Sequence, residues 1–597
     1  MPSYKEDEKL EEKISTEIIR RLLKYLLPYK KEVLLVLFLI GIGMVVDLLN
    51  PYFLKIAIDN YIKNKNLRGL FWVGIFVIVL NLTGAFASRM RTIKMSSVTN
   101  RALLNIRQDL FNHVQELSLS FFDERPVGKI LARIIGDVNS LNNLFTMLIT
   151  NLIPDIAMII ATSVIMFSLN PKLAIAGLFT LPFLIIVLFS IQIISRKRWQ
   201  LVRKKNSNLN AFIHENFSGI RVVKAFTAEN YTNRIFDNLT WEVRNAFVRA
   251  VRINDLFWPM VEFSWGIGGI VIYYFGVKMI SSGNITVGLL VAMSSYLSMF
   301  WRPITDLSNL LNNLITSMAS AERIFEVMDI NPEVIEKKDA IDFEIKGEVE
   351  FRNVSFSYDG NRKVLENISF KVKPGEKIAL VGHTGAGKTT IINLLCRFYD
   401  PQEGEILIDG VNIKNIKLES LRRQIGVMLQ DTFLFSGSIL DNIRYGKLET
   451  TDEEVIEIAK SVNAHDFIET LENTYKTDIR ERGLRLSTGQ RQLISLARTL
   501  IADPKILILD EATASVDTQT ERLLQKGIEE LLKGRTSFII AHRLSTIQNV
   551  DRIMVIEGGK IWEMGTHEEL MEKKGIYYNM FVSQFKYWGN KEEEFVS

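Results

Sequence analysis

Residues 377–389 read Lys377-Ile378-Ala379-Leu380-Val381-Gly382-His383-Thr384-Gly385-Ala386-Gly387-Lys388-Thr389. The last eight fit G-x-x-x-x-G-K-[ST], a loop whose backbone N–H groups cradle phosphates. The run before it has the length and composition of a buried strand, and Ile391, Leu394, Leu395 and Phe398 follow at helical spacing. Strand, glycine loop and helix in that order are the context the motif needs. The glycines let N–H groups turn inward, and the new helix points its positive end at the anion. Lys388 is placed to bind the terminal phosphates of a nucleotide and the Thr389 hydroxyl to ligate magnesium, with Thr390 beside them.

Working outward, 597 residues exceed one ordinary domain. Long apolar runs fill the first half and stop near Ile330. The formal net charge of +4 gives no general affinity for nucleic acid, which is not an expected partner. The single Cys396 excludes an intrachain disulfide, suits a reducing compartment, and sits on the helix after the phosphate loop as a packed residue. The charged N-terminal stretch has no small-residue cleavage site, so no cleavable signal peptide is expected.

Ile18, Ile19, Leu22, Leu23 and Leu26 form an apolar stripe with Arg20, Arg21 and Lys24 opposite, the pattern of a helix lying on a membrane surface; a surface helix of a soluble domain is the alternative. Six spans follow, near Val33–Leu54, Leu70–Ala87, Leu144–Leu169, Leu173–Ile194, Leu256–Ile280 and Thr286–Leu307. Each approaches the ~20 residues that cross a hydrocarbon core. The links after the second and fourth spans are long and rich in Lys and Arg, while the short links carry few. That bias places the long links, both termini and the nucleotide domain in the cytoplasm of a multi-pass protein of the cell (inner) membrane. The first long link continues an apolar helical face through Leu103, Leu104, Ile106, Leu110 and Val114, so the spans are expected to extend well beyond the bilayer. Asp47, Asp155, Glu262, Arg302 and Asp306 fall within the spans; they either line a water-filled, acid-leaning substrate cavity or pair with Arg302 to fix helix packing. Trp258, Phe263, Trp265, Tyr273, Tyr274, Phe300 and Trp301 either line an apolar site or face lipid.

The second half supplies further motifs in a fixed order: Tyr358 in Phe356-Ser357-Tyr358, Gln430 in Met428-Leu429-Gln430, then Leu486-Ser487-Thr488-Gly489-Gln490. After these come the apolar run Ile506–Leu509 ending in Asp510-Glu511, then Ser515-Val516-Asp517, and His542 in Ala541-His542-Arg543. With six spans ahead of them, these residues resemble an ABC exporter half-transporter, from the surface helix to about Tyr578. The resemblance implies an all-α six-helix transmembrane domain with long cytoplasmic extensions. An α/β P-loop ATPase domain would follow, with an antiparallel β subdomain and a helical signature subdomain. It implies the boundaries 1–30 (tail and interfacial helix), 31–328 (membrane domain), 329–346 (linker), 347–584 (nucleotide-binding domain) and 585–597 (charged tail).

On the same resemblance, ATP and Mg2+ bind at Tyr358, Gly382, His383, Thr384, Gly385, Ala386, Gly387, Lys388, Thr389 and Thr390. Tyr358 stacks on adenine. Thr389, Gln430 and Asp510 hold the magnesium. Glu511 is the general base, with Gln430 and His542 beside the γ-phosphate. Ser487, Thr488, Gly489, Gln490 and Asp517 act across a dimer, on the nucleotide of the opposite subunit. Phosphoryl transfer of this kind is positioning plus charge stabilisation. The stretches Phe121–Gly128 and Glu215–Phe226 resemble the two coupling helices with their flanks, and Asp478–Gly483 is expected to touch them.

The signature departs from the family's L-S-G-G-Q at Thr488 while Glu511 is intact, a combination that resembles heterodimeric exporters. A second half-transporter, membrane lipid and a small amphiphilic substrate are therefore the expected partners, with acidic intramembrane residues tilting the substrate toward cationic amphiphiles. ATP-driven export by alternating access leads. A lipid flippase, a peptide exporter and an ATP-gated channel on the same frame are the alternatives.

Overall fold

The computed structural model describes residues 16–429, 432–510, 518–540 and 550–583, without the side chains of 16, 305–313, 315, 481 and 518. It divides into two compact units: Met1–Gln115 with Val127–Ile330, and Glu116–Pro126 with Asn331–Ser597.

The first unit is helical because its apolar runs leave the backbone only itself to bond with in lipid. Six helical stretches are long and apolar enough to cross a membrane: Glu17–Ile62, Leu67–Glu116, Val127–Leu169, Pro171–Ser218, Glu229–Ser281 and Val287–Ile304. The helix Leu67–Glu116 is unbroken over 50 residues, ~75 Å at ~1.5 Å per residue, against ~30 Å of hydrocarbon. Beyond its apolar half it buries Met95, Val98, Ala102, Ile106, Leu110 and Val114. Leu103 belongs to this face as expected, but Leu104 does not: it is turned one position off the stripe and is exposed.

Close approaches fix the bundle. A Cβ on Gly268 would lie 2.6 Å from the Gly177 carbonyl oxygen, so the helices Pro171–Leu178 and Phe257–Ser281 touch backbone to backbone. The Thr180 hydroxyl donates to Ser264 O beside them (3.1 Å), and Tyr296 Oη donates to Leu48 O (2.8 Å). Asp59 accepts from the Thr286 hydroxyl (2.5 Å) and from Gly288 N–H (2.9 Å), which satisfies the start of the helix Val287–Met328. In the helix Thr16–Leu26, Leu22 and Leu26 are buried, Ile18 and Ile19 partly so, and Arg20 and Lys24 exposed, as the stripe predicts, while Leu23 is exposed. Arg21 departs from that reading. It forms a two-pronged bond to Asp329 (2.6 and 2.8 Å) and covers the Phe325 ring, because a helix side residue is claimed by whatever element packs there.

The second unit carries strands β1 (Val349–Phe356), β2 (Leu365–Val372), β3 (Lys377–Val381), β4 (Glu403–Ile408), β5 (Val411–Asn412), β6 (Ile425–Met428), β7 (Ile506–Asp510), β8 (Thr536–Ile540), β9 (Arg552–Glu557) and β10 (Lys560–Gly565). They form an antiparallel sheet in the order β2-β1-β4-β5 and a larger one in the order β10-β9-β3-β8-β7-β6. In the latter, β9, β3, β8, β7 and β6 run parallel and β10 is an antiparallel edge. The central strands are buried on both faces, which is why Ile506–Leu509 and Phe538–Ile540 are continuously apolar. The helices Ile439–Arg444 and Asp452–Ser461 pack on the helix Thr488–Ile501, and His465–Glu469 packs on Asp452–Ser461, with Ile443, Val455, Ala459, Ile468 and Leu493 in one core, giving a helical lobe.

The stretch 331–346 is hydrogen-bonded along its length within this unit. Glu333 and Val334 N–H groups donate to Ser118 Oγ, Arg397 Nη2 donates to Ile335 O, and Ile345 N–H donates to Gln424 Oε1.

Candidate nucleotide-binding site

β3 lies between β8 and β9 and delivers its last residue, Val381, into the loop 382–387. Gly387 has φ +109, and a Cβ there would stand 2.6 Å from Leu365 Cδ2. A Cβ on Gly382 would overlap the Ile556 carbonyl, whereas Gly385, at φ +83, faces open space. The loop therefore folds tightly against its own sheet and leaves its outer side free, the shape of a cradle that side chains would fill. His383, Thr384, Gly385 and Thr389 are exposed on it, and Ala386 and Thr390 are buried.

Lys388 opens the helix Lys388–Leu395 and is only 7 % exposed. Its ammonium donates to the carbonyls of Gly382 (2.7 Å) and His383 (3.0 Å), so the loop holds its own cation in place. Burial lowers the Lys388 pKa, and Asp510, at the end of β7, opposes that shift by its charge. The helix ends at Leu395, and Arg397 turns the chain at φ +50. Phe398, past the helix end, still packs partly buried on the same core as Ile391, Leu394 and Leu395.

Tyr358 is 47 % exposed, so its ring keeps surface for a flat ligand. The ring stands perpendicular to Phe356 (4.9 Å between centroids) and Tyr399 (5.1 Å). Its hydroxyl donates to Thr390 Oγ1 and accepts from Asn393 Nδ2, both at 3.2 Å. Thr390 is thus engaged with the aromatic cluster.

In the signature, Ser487 caps the helix Thr488–Ile501: its Oγ accepts from Gln490 N–H (3.2 Å), and Gln490 Oε1 accepts from Ser487 N–H (2.9 Å). The cap uses a lone pair on the Ser487 oxygen, so the hydroxyl proton remains for an outward acceptor. Thr488 is exposed, and its Oγ1 accepts from Arg491 Nη2 (3.3 Å), which draws the extra side chain back along its own helix. Gln430, Glu511, Asp517 and His542 lie outside the described residues.

Loop N–H groups, a buried ammonium, the exposed Thr389 and the Asp510 carboxylate are the donors and hard oxygen ligands that a magnesium–triphosphate takes. The residues present fit that group.

One residue that motif reading passed over is Arg498, on the signature helix. It donates to Asn442 O, Phe433 O and Asn442 Oδ1 (each 2.8 Å) beside the paired rings of Phe435 and Tyr445. It ties the segment after β6 to the signature helix. An arginine within the buried run Leu493–Ile501 was the available signal, since arginine is rarely buried without partners.

In the membrane unit, Asp47, Glu262 and Arg302 are exposed and Asp155 is half-buried, while the Asp306 side chain is outside the described set. Phe300 and Trp301 belong to the buried core rather than to a lining, while Trp258, Phe263 and Tyr274 are exposed.

Six membrane-length helices joined in one chain to a phosphate loop, a capped signature helix and a parallel-sheet ATPase core define an ATP-driven membrane transporter of the exporter type. Residues 33–304 match the family described as the ABC transporter transmembrane region, and residues 365–514 match that described as ABC transporter. The chain belongs to the ABC transporter family, as an exporter half-transporter whose nucleotide domain is an ATPase. Half-transporters of this kind work as dimers. It is similar to the Bacillus subtilis ABC transporter ATP-binding protein YknV, 44% identical over 98% of this chain and 97% of that protein. It is also similar to an ATP-dependent lipid A-core flippase of Syntrophus aciditrophicus, 37% identical over 96% and 95% of the two chains. Among solved structures, a bacterial Atm1-family ABC exporter with ATP bound superposes with a TM-score of 0.78 at 29% identity, covering 93% of this chain and 98% of that one.

Proposed function

We propose that this transporter exports small amphiphilic molecules across the cytoplasmic (inner) membrane, or moves them between its leaflets, as one half of a heterodimer. The nucleotide domain and both termini stand in the cytoplasm. The basic residues of the two long links support that orientation. A relative named for flipping lipid A-core supports an amphiphile as cargo.

The observation that carries the site reading is the Lys388 ammonium, buried and held over the loop carbonyls within electrostatic reach of Asp510. Tyr358 offers its ring to adenine, and the N–H groups of 382–388 and Lys388 hold the phosphates. Thr389 and Asp510, with Gln430, hold Mg2+. Bound magnesium neutralises phosphate charge and orients the anhydride. Glu511 aligns and deprotonates the attacking water, and His542 donates to the terminal phosphate. Ser487 and Gly489 close over the nucleotide of the other subunit, with Asp517 crossing between the sites. Thr488 leaves both phosphate contacts in place because its hydroxyl is bonded to Arg491. In the heterodimer, Glu511 works in the competent site and Thr488 faces the weaker one.

The test is Mg-ATPase of this chain alone in lipid nanodiscs, beside Glu511→Gln. Negligible turnover in a folded, ATP-binding sample is the expected result, restored by a partner carrying an intact signature. Robust turnover by the chain alone, lost in Glu511→Gln, would overturn the heterodimer. Unchanged turnover in that variant would remove Glu511 from its role.

A further inference from the structure

We propose that one acyl chain of an anionic phospholipid is held as a resident ligand between the surface helix Thr16–Leu26 and the third membrane-length stretch, Val127–Leu169. Such a lipid stays on the transporter and is not the exported molecule. A cavity of about 220 Å3 lies between that helix and residues 144–153. Its floor is Leu22, Leu26, Leu144, Phe145 and Ile149, all buried. Its mouth is Leu23 and Ile153, each about half exposed. Among the described residues no polar side chain lines it. An apolar cavity of ~150 Å3 stays dry and takes up a benzene, so this larger one offers water nothing and has room for several methylenes.

The local sequence builds the gap. Residues 138–147 and 153–169 are α-helical, but Leu148–Leu152 between them is one wide π turn. Pro154, in the first turn of the following helix, has no N–H to give the Thr150 carbonyl, so the helix loosens there. The surface helix is tied down elsewhere on its circumference. Arg21 is held by Asp329 and the Phe325 ring, and Tyr25 Oη donates to Asp109 (3.0 Å). Those ties fix its height, so its apolar face does not settle onto the wide turn and close the gap. Left empty, the walls forfeit dispersion contacts.

Two features select the occupant. The first is where the mouth leads. From Ile153 the exposed Ile156, Ile160 and Val164 continue along the third stretch one turn at a time, and Leu34 and Phe38 are exposed on the first. On helices of membrane length, such surface meets acyl chains. The second is charge. Arg20 and Lys24 are exposed on the surface helix one turn apart, next in sequence to the cavity residues Ile19 and Leu23. Glu17 is the one acid in this helix, and Arg21 is already paired, so a cation excess remains for a headgroup. A phospholipid satisfies both features at once. Its phosphate sits at Arg20 and Lys24, its first methylenes fill the cavity, and the rest of the chain follows Ile156, Ile160 and Val164.

The test is photocrosslinking of the full chain in nanodiscs, using phosphatidylglycerol with a diazirine in one acyl chain near the glycerol. Phosphatidylcholine with the same chain is the comparison, and labelled peptides are mapped by mass spectrometry. Phosphatidylglycerol is expected to label 19–26 and 144–153 more heavily than 183–189, where Phe183, Ile186 and Phe189 are exposed. Phosphatidylcholine should label the site about fivefold less, the scale of one surface cation beside an anionic lipid. Leu148→Trp fills the cavity from its wall. Leu23→Trp blocks the mouth from an exposed position and leaves the packed floor alone. Each should cut labelling of the site about tenfold, as two methylenes denied burial would, with 183–189 labelled as before. Arg20→Gln with Lys24→Gln should abolish the preference for phosphatidylglycerol. Labelling of 19–26 and 144–153 no heavier than 183–189, or undiminished in Leu23→Trp, would overturn the site. Equal labelling by the two lipids in the parent would overturn the anionic headgroup. Loss of labelling once a second half-transporter is bound would assign the cavity to that protein and overturn the lipid.

Discussion

Gly387→Ala tests the cradle most directly. Gly387 sits at φ +109, ψ +6, well to the side of the left-handed well, where an L residue costs ~1–3 kcal/mol. Its new Cβ would stand 2.6 Å from Leu365 Cδ2 and 3.3 Å from Val364 O, an overlap costing ~1 kcal/mol or more. The leucine methyl can swing aside, but the backbone at Val364, just before β2, cannot, so the loop itself gives way. Its N–H groups then no longer converge, and bound nucleotide must restore the strained form. A penalty of ~2 kcal/mol on binding is ~30-fold in Kd. The assay is equilibrium binding of a fluorescent ATP analogue to the full chain in nanodiscs. Gly410→Ala is the control: Gly410 is also at positive φ (+80), in the Asp409-Gly410 turn between β4 and β5, but faces open space. It should change ATP affinity by less than about twofold. Gly387→Ala binding within twofold of the parent, or Gly410→Ala weakening binding as much, would refute the reasoning.

Three further outcomes follow from the same geometry. Ser487→Ala removes the cap on the signature helix and should cost ~1 kcal/mol of stability as well as hydrolysis, whereas Ser487→Asp keeps a good cap but sets a carboxylate against phosphate. Thermal melts of Ser487→Asp should therefore match the parent while its ATPase in the assembled transporter is lost. Burial pushes the Cys396 thiol up to about 12, so maleimide labelling at pH 8 should be ~1000-fold slower in the folded than in the unfolded chain. Because the folded thiol keeps a proton that the unfolded one releases, this burial contributes stability that is lost as pH rises above about 9. Gly268→Ala forces the helices around Gly177 and Gly268 apart and should lower the unfolding temperature, while Gly266→Ala, with nothing within 4 Å, should leave it unchanged.

What local pattern encodes was legible in the sequence. The strand Lys377–Val381, the glycine loop, the signature helix and the six apolar stretches are each written in adjacent residues at period two or 3.6. What long-range packing decides was not. Arg21 read as one more cation on a polar face, yet its partner Asp329 is 308 residues away. No local pattern marks Tyr399, and its bond to Asp123 spans 276 residues. Leu104 fell on the right spacing and the wrong side, because the buried stripe passes beside it. For the site, the phosphate loop could be read with its physical reasons. The roles of Gln430, Glu511, Asp517 and His542 came from motif order alone.

The unbroken helix Leu67–Glu116 has a mechanical consequence. It is ~75 Å long and needs ~30 Å to cross lipid, so ~45 Å of it stands clear of the hydrocarbon as a stiff arm. A tilt of about 10° at the membrane sweeps the far end through ~8 Å, more than one turn of helix. Lever length thus converts a slight change of slope among packed helices into a stroke at Glu116, where the chain turns into the segment that carries Asp123.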